Sequence, residues 1–245
     1  MYVDYSHLST GQEAVAVGIE HAITKEDNVV PQFGSIGVDW IDYYRVQMSW
    51  VYVHAWWLSK TNYCRTSRTS RWSVIRQRYP FSLIPELTSG GSMHMFVKGF
   101  FGGNGIVGAQ VPVGAGTTHS LNPRLIAGVA FAMKYMKKPA CCFALYGDGA
   151  ANQGQVFEAF NMASLWKLPV VFGCENNKYG MGTAASRSSA LTEYYQRGQY
   201  IPGIKVNGMD VLAVAQASKY ARDHAIAGKG PVVMEFVTYR YGKSP

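Results

Sequence analysis

Three short apolar runs stand out in the pattern of hydrophobic and polar positions along the second half of the chain. They cover residues 140–146, 168–175 and 231–237, and segments with helical periodicity separate them. Apolar runs of this length, spaced by helical segments, are typical of strands buried on both faces of a parallel sheet. With right-handed crossovers, this alternation predicts an α/β fold with a doubly wound, mainly parallel sheet.

The segments between these runs carry the signals of helices. A helix is predicted over residues 152–166, where three apolar residues share one face: Val156, Phe160 and Ala163. Asp210 is placed to cap a later helix at its N-terminus, and Gly228 is placed to end it.

An earlier helix is predicted over residues 11–23. Four of its residues are expected to point partly inward: Ala14, Val17, Ile19 and His21. The following segment, residues 31–87, shows no convincing period, although it holds five of the six tryptophans. We therefore expect one domain over residues 1–245, interrupted by a segment of different character.

Composition excludes several classes of protein. An apolar content of 48% is that of a globular chain, and no apolar run reaches the roughly 18 residues of a membrane span. Much of the net charge of +8 comes from one basic stretch within residues 60–78, so we predict no nucleic-acid binding. A basic binding module over residues 45–80 is the weaker alternative.

The four cysteines form no CxxC pair and have no metal-ligand spacing: Cys64, Cys141, Cys142 and Cys174. Three of them lie in apolar, strand-like runs. This placement predicts buried, reduced thiols in an intracellular compartment.

Polar motifs follow two of the predicted strands. Gly-Asp-Gly at 147–149 ends the first strand, and Asn-Asn at 176–177 ends the next. Ligands bind beyond the carboxyl ends of strands in a doubly wound sheet, so both motifs lie on the ligand side. The alternative is that they are two unrelated surface turns.

These motifs offer the ligands that a magnesium diphosphate needs. Asp148 supplies a carboxylate, Asn177 an amide oxygen and Tyr179 a backbone carbonyl, which are hard oxygen ligands suited to Mg²⁺. The flanking glycines allow the backbone to approach a ligand, and a helix predicted to begin near Ala150 presents free N–H groups to phosphate.

GDG followed after 26 residues by NN resembles the thiamine-diphosphate signature of transketolase-like and 2-oxoacid dehydrogenase enzymes. The sequence around these motifs resembles, more specifically, that of the alpha subunits of pyruvate dehydrogenase. Five segments carry this resemblance: 7–23, 90–96, 102–116, 146–189 and 201–210.

The resemblance implies a role for each matching residue. Asp148, Asn177 and Tyr179 would ligate Mg²⁺. The other matching residues would lie against thiamine diphosphate: Gly149 and Ala150 at the diphosphate, Gly105 and Val107 at the aminopyrimidine, and His7 as a catalytic residue lining the site.

The resemblance further implies oxidative decarboxylation of pyruvate, with transfer of the acetyl group to a lipoyl group. The partners would be a beta subunit in an α₂β₂ assembly and a lipoyl-bearing acetyltransferase component, in the mitochondrial matrix. The alternatives are the alpha subunit of a branched-chain 2-oxoacid or acetoin dehydrogenase, and an inactive isoform or mistranslated gene model.

The chain departs from the family pattern in two segments, 31–88 and 117–128, which we interpret as aberrant inserts. VQMSWVYVHAWW (46–57) can be encoded by codons that, read one nucleotide later, spell the family-like YRCHGFTYMRG. We hypothesise that residues from about 46 to 74 are translated out of frame. Residues 31–45 and 75–88 would then be retained intron or other misassigned sequence, and residues 117–128 a short retained intron. The family's Tyr-Arg pair is expected to be missing from this altered segment. The family's histidine loop, which follows TYRY, is also expected to be missing, because the sequence reads TYRYGKSP there. Sequencing the spliced transcript tests this hypothesis.

Overall fold

A seven-stranded sheet forms the centre of the computed structural model of this chain. The structure describes residues 12–30, 96–97, 100–101, 106–115, 128–180 and 182–240. Apart from Gly128, the hypothesised aberrant segments 31–88 and 117–128 lie outside these residues. The prediction of one domain over residues 1–245 extends over many residues that the structure does not describe. Both stay predictions.

The helices and strands of the described residues follow one another in this order: α1 (Glu13–Ala22), β1 (Asn28–Val30), β2 (Phe96–Val97), β3 (Phe100–Phe101), α2 (Gln110–Ala115), α3 (Val129–Tyr135), β4 (Cys142–Gly147), a 3-10 turn (Ala150–Asn152), α4 (Gly154–Leu165), β5 (Val170–Asn176), β6 (Tyr179–Gly180), β7 (Thr183–Ala184), α5 (Ala185–Ser188), a 3-10 turn (Tyr194–Gln196), β8 (Gly203–Asn207), α6 (Val211–Ile226) and β9 (Val232–Val237).

The strand order of the main sheet is β2-β3-β1-β4-β5-β9-β8, and β6 pairs with β7 in a separate small sheet. In the main sheet every pair is parallel except β2–β3, which is an antiparallel pair at one edge. The three predicted apolar strands became β4, β5 and β9, which are neighbours at the centre. The prediction of a doubly wound, mainly parallel sheet is confirmed.

Helices cover both faces of the sheet because alternate strand residues point to opposite sides. On one face, Cys142, Ala144 and Tyr146 of β4 belong to a core that includes buried residues of α2, α3 and α4. On the other face, Phe143 and Leu145 belong to a second core with residues of α1 and α6. Two buried faces explain why the central strands read as continuous apolar runs.

The predicted helix signals of the second half are confirmed. The three residues expected on the inner face of α4 are all buried: Val156, Phe160 and Ala163. The Asp210 carboxylate caps α6, accepting hydrogen bonds from the backbone N–H groups of Leu212 (2.9 Å) and Ala213 (3.3 Å). Gly228 follows the end of α6 with φ +73°, the left-handed conformation that favours glycine after a helix.

Helix α1 confirms the prediction over 11–23, but its inward face differs in one respect. Ile19 is buried, and Ala14 and Val17 are half-buried, whereas His21 is exposed. At 100° per residue, His21 lies about 200° around the helix from Ile19, on the side away from α6. The expectation that His21 points partly inward was wrong.

Strand β8 was not predicted from the sequence. It lies at the edge of the sheet beside β9, and Val206 is its one buried residue. An edge strand with so little apolar burial has no continuous hydrophobic run to reveal it.

The thiols of Cys141, Cys142 and Cys174 are free and buried, as predicted, while Cys64 lies outside the described residues. Burial raises the pKa of Cys141 well above the ordinary thiol value, with a further contribution from the nearby Asp27 carboxylate. Within the part of the chain that the structure describes, no helix has the length and hydropathy needed to cross a bilayer.

Candidate functional site

The GDG and NN motifs meet at one edge of the sheet. Strands β4 and β5 are parallel neighbours with Gly147 opposite Glu175, and the backbone N–H of Asp148 donates to the Glu175 carbonyl at 3.3 Å. Asp148 is therefore one residue beyond this pair and Asn177 two residues beyond it. Both residues are buried. The structure thus places the two residues predicted to ligate a metal just beyond the ends of neighbouring strands.

The backbone turns sharply after Asn177. Its Oδ1 accepts a hydrogen bond from the backbone N–H of Tyr179 at 3.1 Å, and Lys178 between them has φ +71°. This is a turn held by an asparagine side chain. It fixes the Asn177 side chain at the strand end and places the Tyr179 carbonyl next to it in the chain.

Tyr179 is half-exposed, and its carbonyl already has one partner. Arg240 Nη1, just beyond β9, donates a hydrogen bond to this carbonyl at 2.9 Å. Because a carbonyl oxygen has two lone pairs, one remains for a metal ion.

The two asparagines of the NN motif have different partners. Asn176 Nδ2 donates to Glu235 Oε1 at 2.7 Å, and Asn176 Oδ1 accepts from the backbone N–H of Lys178 at 3.0 Å. The second oxygen of Glu235 accepts from the backbone N–H of Tyr195 at 3.1 Å. Asn176 thus holds the strand end, whereas the side chain of Asn177 accepts a hydrogen bond from the turn that follows it.

This edge of the sheet carries negative charge. Asp148, Glu175 and Glu235 are all buried near the carboxyl ends of β4, β5 and β9. The pKa of the nearby Cys174 thiol is raised well above its ordinary value by burial first, and then by the charges of Asp148 and Glu235. Carboxylates grouped at one strand end attract cations.

The donor set fits a hard divalent cation that shares its coordination with a ligand. In the described ranges, no group of three or more His, Cys, Asp or Glu side chains is arranged to hold a metal ion by itself. A carboxylate, an amide oxygen and a carbonyl oxygen would instead form part of an octahedron. Mg²⁺ commonly completes such an octahedron with phosphate oxygens and water.

The chain after GDG differs in one respect from the prediction of a helix near Ala150. A single 3-10 turn covers Ala150–Asn152, and α4 begins at Gly154, after Gln153 in an extended conformation. The turn is closed by the N–H of Asn152 on the Gly149 carbonyl (3.3 Å) and that of Gln153 on the Ala150 carbonyl (3.0 Å). The helical backbone thus begins near Ala150, as predicted, but its first turn is 3-10 and the α-helix itself starts four residues later.

Gly149 and Ala150, the residues predicted to contact diphosphate, lie at this turn. The Ala150 side chain packs in the core shared with α2, α3 and α4. Any contact of Ala150 with a phosphate would therefore come from its backbone. Short turns with successive backbone N–H groups form anion-binding sites in many proteins.

Val107 lies close to the same turn. It is buried, and its carbonyl accepts a hydrogen bond from Gln155 Nε2 in α4 at 2.7 Å. The next residue, Gly108, has φ +83° and lies against the side chains of Gln153 and Gln155. Val107 is thus tied to the GDG side of the site, whereas Gly105 and His7 lie outside the described residues and stay predictions.

Two residues with contacts at this edge were not predicted from the sequence. Glu235 bridges Asn176 and Tyr195, and Arg197 donates hydrogen bonds to the turn after GDG. Glu235 is the one charged residue in the apolar run 231–237. Because a buried carboxylate needs hydrogen-bond partners, its position there could have indicated such contacts. Arg197 gave no such signal, because it sits in a polar loop.

Comparison with known protein families gives one match over most of the chain. Residues 3–243 match the model of the family described as dehydrogenase E1 component. The matched range includes every described residue of the candidate site.

Several characterised proteins are similar to this chain over almost its whole length. The pyruvate dehydrogenase E1 component subunit alpha, mitochondrial, of Saccharomyces cerevisiae is 52% identical over 238 residues, covering 97% of this chain and 48% of the relative. The protein of the same name in Chaetomium thermophilum is 53% identical over 247 residues, covering 97% and 49%. The testis-specific form of Rattus norvegicus is 47% identical over 237 residues, covering 97% and 51%. The chain therefore spans about half the length of the relatives it matches.

Proposed function

The chain belongs to the dehydrogenase E1 component family, and we propose that it acts as an alpha subunit of a thiamine-diphosphate-dependent pyruvate dehydrogenase. The proposed activity is oxidative decarboxylation of pyruvate, with transfer of the acetyl group to a lipoyl group. The observation that carries the proposal is the pair of buried side chains Asp148 and Asn177, placed at the ends of adjacent parallel strands.

In this proposal the described residues hold the cofactor and its metal ion. Asp148, Asn177 and the Tyr179 carbonyl would bind Mg²⁺. The remaining contacts would be to thiamine diphosphate: Gly149 and Ala150 at the diphosphate, Gly105 and Val107 at the aminopyrimidine, and His7 as a catalytic residue beside the reacting atoms. The oxygen donors and the buried negative charge at this edge support the metal assignment.

When bound, thiamine diphosphate would supply a nucleophilic carbon and an electron sink for loss of CO₂. The contribution of this chain is binding and orientation. Asp148 and Asn177 would hold the diphosphate end of the cofactor through the metal ion. Val107, whose carbonyl accepts a hydrogen bond from Gln155, would form an apolar contact with the aminopyrimidine. Two fixed contacts on different parts of a ligand restrict its orientation, which lowers the entropic cost of reaction.

The relatives also support the choice of substrate and the location. The similar proteins of yeast, fungus and rat are all named as pyruvate dehydrogenase subunits and as mitochondrial. We therefore favour pyruvate over branched-chain 2-oxoacids or acetoin, and a place in the mitochondrial matrix. The proposed partners are a beta subunit in an α₂β₂ assembly and a lipoyl-bearing acetyltransferase component.

Calorimetry tests the proposal. The full chain would be co-expressed with a cognate beta subunit and titrated with thiamine diphosphate in the presence of Mg²⁺. Asp148→Ala would remove the carboxylate ligand, and Glu158→Ala would serve as its control, because Glu158 is exposed on α4. We expect saturable binding by the unchanged protein and by the control, and loss of binding in Asp148→Ala or after chelation of Mg²⁺ by EDTA.

Two results would contradict the proposal: unchanged binding in Asp148→Ala, or no binding by a folded assembly that contains the unchanged chain. Binding without decarboxylation of pyruvate would instead favour an inactive isoform. That result would point to the segment 31–88, which the frame hypothesis marks as aberrant.

A further inference from the structure

We propose that Arg197 is a positioning residue for the diphosphate end of the cofactor. This inference rests on the proposed function and adds a residue to it. Arg197 lies in the loop between α5 and β8, about 45 residues after the turn that follows GDG, yet it contacts that turn directly.

Arg197 holds the turn by two hydrogen bonds from one nitrogen. Its Nη1 donates to the carbonyl of Ala151 at 2.8 Å and to Oδ1 of Asn152 at 2.8 Å. Both acceptors belong to the 3-10 turn Ala150–Asn152. Because the turn begins one residue after Gly149, fixing it also fixes the direction of the preceding backbone, on which the diphosphate would lie.

The guanidinium is itself held in place by its own loop, residues 189–198, which we call the clamp segment. Nη2 of Arg197 donates to the carbonyl of Leu191 at 2.8 Å, and the guanidinium carbon lies 4.4 Å from the centre of the Tyr194 ring. A planar guanidinium can make forked hydrogen bonds and stack on a ring at the same time, whereas an ammonium group cannot.

A second contact joins the clamp segment to the same turn. Ser189 Oγ donates to Asn152 Oδ1 at 3.1 Å, and it lies 3.1 Å from the hydroxyl of Tyr194. Tyr194 is itself buried. Asn152 therefore receives hydrogen bonds from two residues of the clamp segment, which makes the attachment more than a single exposed contact.

The clamp segment is also anchored on the other half of the site. The backbone N–H of Tyr195 donates to Glu235, whose other carboxylate oxygen accepts from Asn176. Asn176 precedes the proposed metal ligand Asn177. The clamp segment thus connects the strand end that carries NN with the turn that follows GDG. These contacts fix the position of the NN motif relative to that turn.

Hydrogen exchange and cofactor titration test this role, on the full chain assembled with a beta subunit. Three variants are compared. Arg197→Met removes the charge and the hydrogen bonds, and Arg197→Lys keeps the charge but lacks the fork. Lys205→Met is the matched control, since Lys205 lies on β8 and forms an exposed ion pair with Glu193 of the clamp segment.

We expect Arg197→Met to speed amide exchange in a peptide covering residues 148–155 without speeding exchange in β9. We also expect its dissociation constant for thiamine diphosphate to rise roughly tenfold, with kcat at saturating cofactor within about twofold of the unchanged protein. Arg197→Lys should recover only part of the affinity, and Lys205→Met should behave as the unchanged protein.

The proposal is overturned if Arg197→Met matches the control in both exchange and cofactor affinity. Full recovery by Arg197→Lys would overturn the positioning role as well, because charge alone would then be sufficient. Absence of cofactor binding by the unchanged assembly would reject the proposed function. The exchange measurement needs no cofactor, so it would still decide whether Arg197 holds the turn.

Discussion

Asn176 and Glu235 share a buried hydrogen bond of 2.7 Å between Nδ2 and Oε1, across two adjacent parallel strands. They are 59 residues apart in the chain. Cys174 of β5 is opposite Glu235 of β9, so this bond joins the two strands near the point where both end. It holds the NN motif from the β9 side, whereas Asp148 follows β4 on the other side of β5.

Glu235→Gln tests this link. Glutamine can accept a hydrogen bond from Asn176, but its amide then presents a donor to the backbone N–H of Tyr195, where the carboxylate was an acceptor. We expect a loss of about 1–3 kcal/mol in the free energy of unfolding, measured by urea denaturation. Glu158→Gln, on the exposed face of α4, is the control and should change stability by less than about 0.5 kcal/mol. Equal effects of the two substitutions would refute the link.

The ion pair between Asp27 and Arg222 joins the start of β1 to α6. The Asp27 carboxylate is fully buried, and it also accepts hydrogen bonds from the backbone N–H groups of Thr24 (2.7 Å) and Cys141 (2.8 Å). We expect Asp27→Ala to destabilise the fold by about 3–5 kcal/mol, because it leaves buried donors and a partly buried cation without their partner.

An exposed ion pair provides the comparison for Asp27. Glu193→Ala removes the partner of Lys205, and both of these side chains are more than 40% exposed. Thermal denaturation should show a loss of no more than about 1 kcal/mol for this variant. A loss as small as this for Asp27→Ala would show that the buried pair contributes little.

Close packing of α2 on the sheet depends on Gly114. A Cβ atom at this position would lie 2.5 Å from Cβ of Ala144 in β4. Gly114→Ala should therefore force α2 away from β4 and destabilise the fold by about 1–3 kcal/mol. At Gly154, by contrast, a Cβ would meet no described atom within 4 Å. Gly154→Ala should be neutral or stabilise by up to about 1 kcal/mol, which chemical denaturation can measure.

The three described cysteines should be inert in the native protein. Burial raises the pKa of Cys141, Cys142 and Cys174, and nearby carboxylates add to each shift. Because the thiolate is the reactive form, native protein at pH 8 should leave these residues unmodified by iodoacetamide, and protein in urea should be modified at all three. Peptide mass spectrometry distinguishes the sites. Rapid native modification of any one of them would show that its strand opens.

The sequence alone determined the parts of the fold that depend on local pattern. The apolar runs that became β4, β5 and β9 could be read directly, because strands buried on both faces need continuous apolar residues. The cap at Asp210 was equally local, since its partners are two and three residues away. The positions of Asp148 and Asn177 at the ends of two such strands were predicted in the same way.

The tertiary structure determined which residues from distant parts of the chain contact each other. Asn176 is held at its strand end by Glu235, and the turn after Gly149 accepts hydrogen bonds from Arg197 in a distant loop. His21 proved exposed because the face of α1 that packs on α6 is set by the partner helix. Local periodicity carries no information about such partners, since hydrogen bonds between segments 46 or 59 residues apart exist only once the sheet has formed.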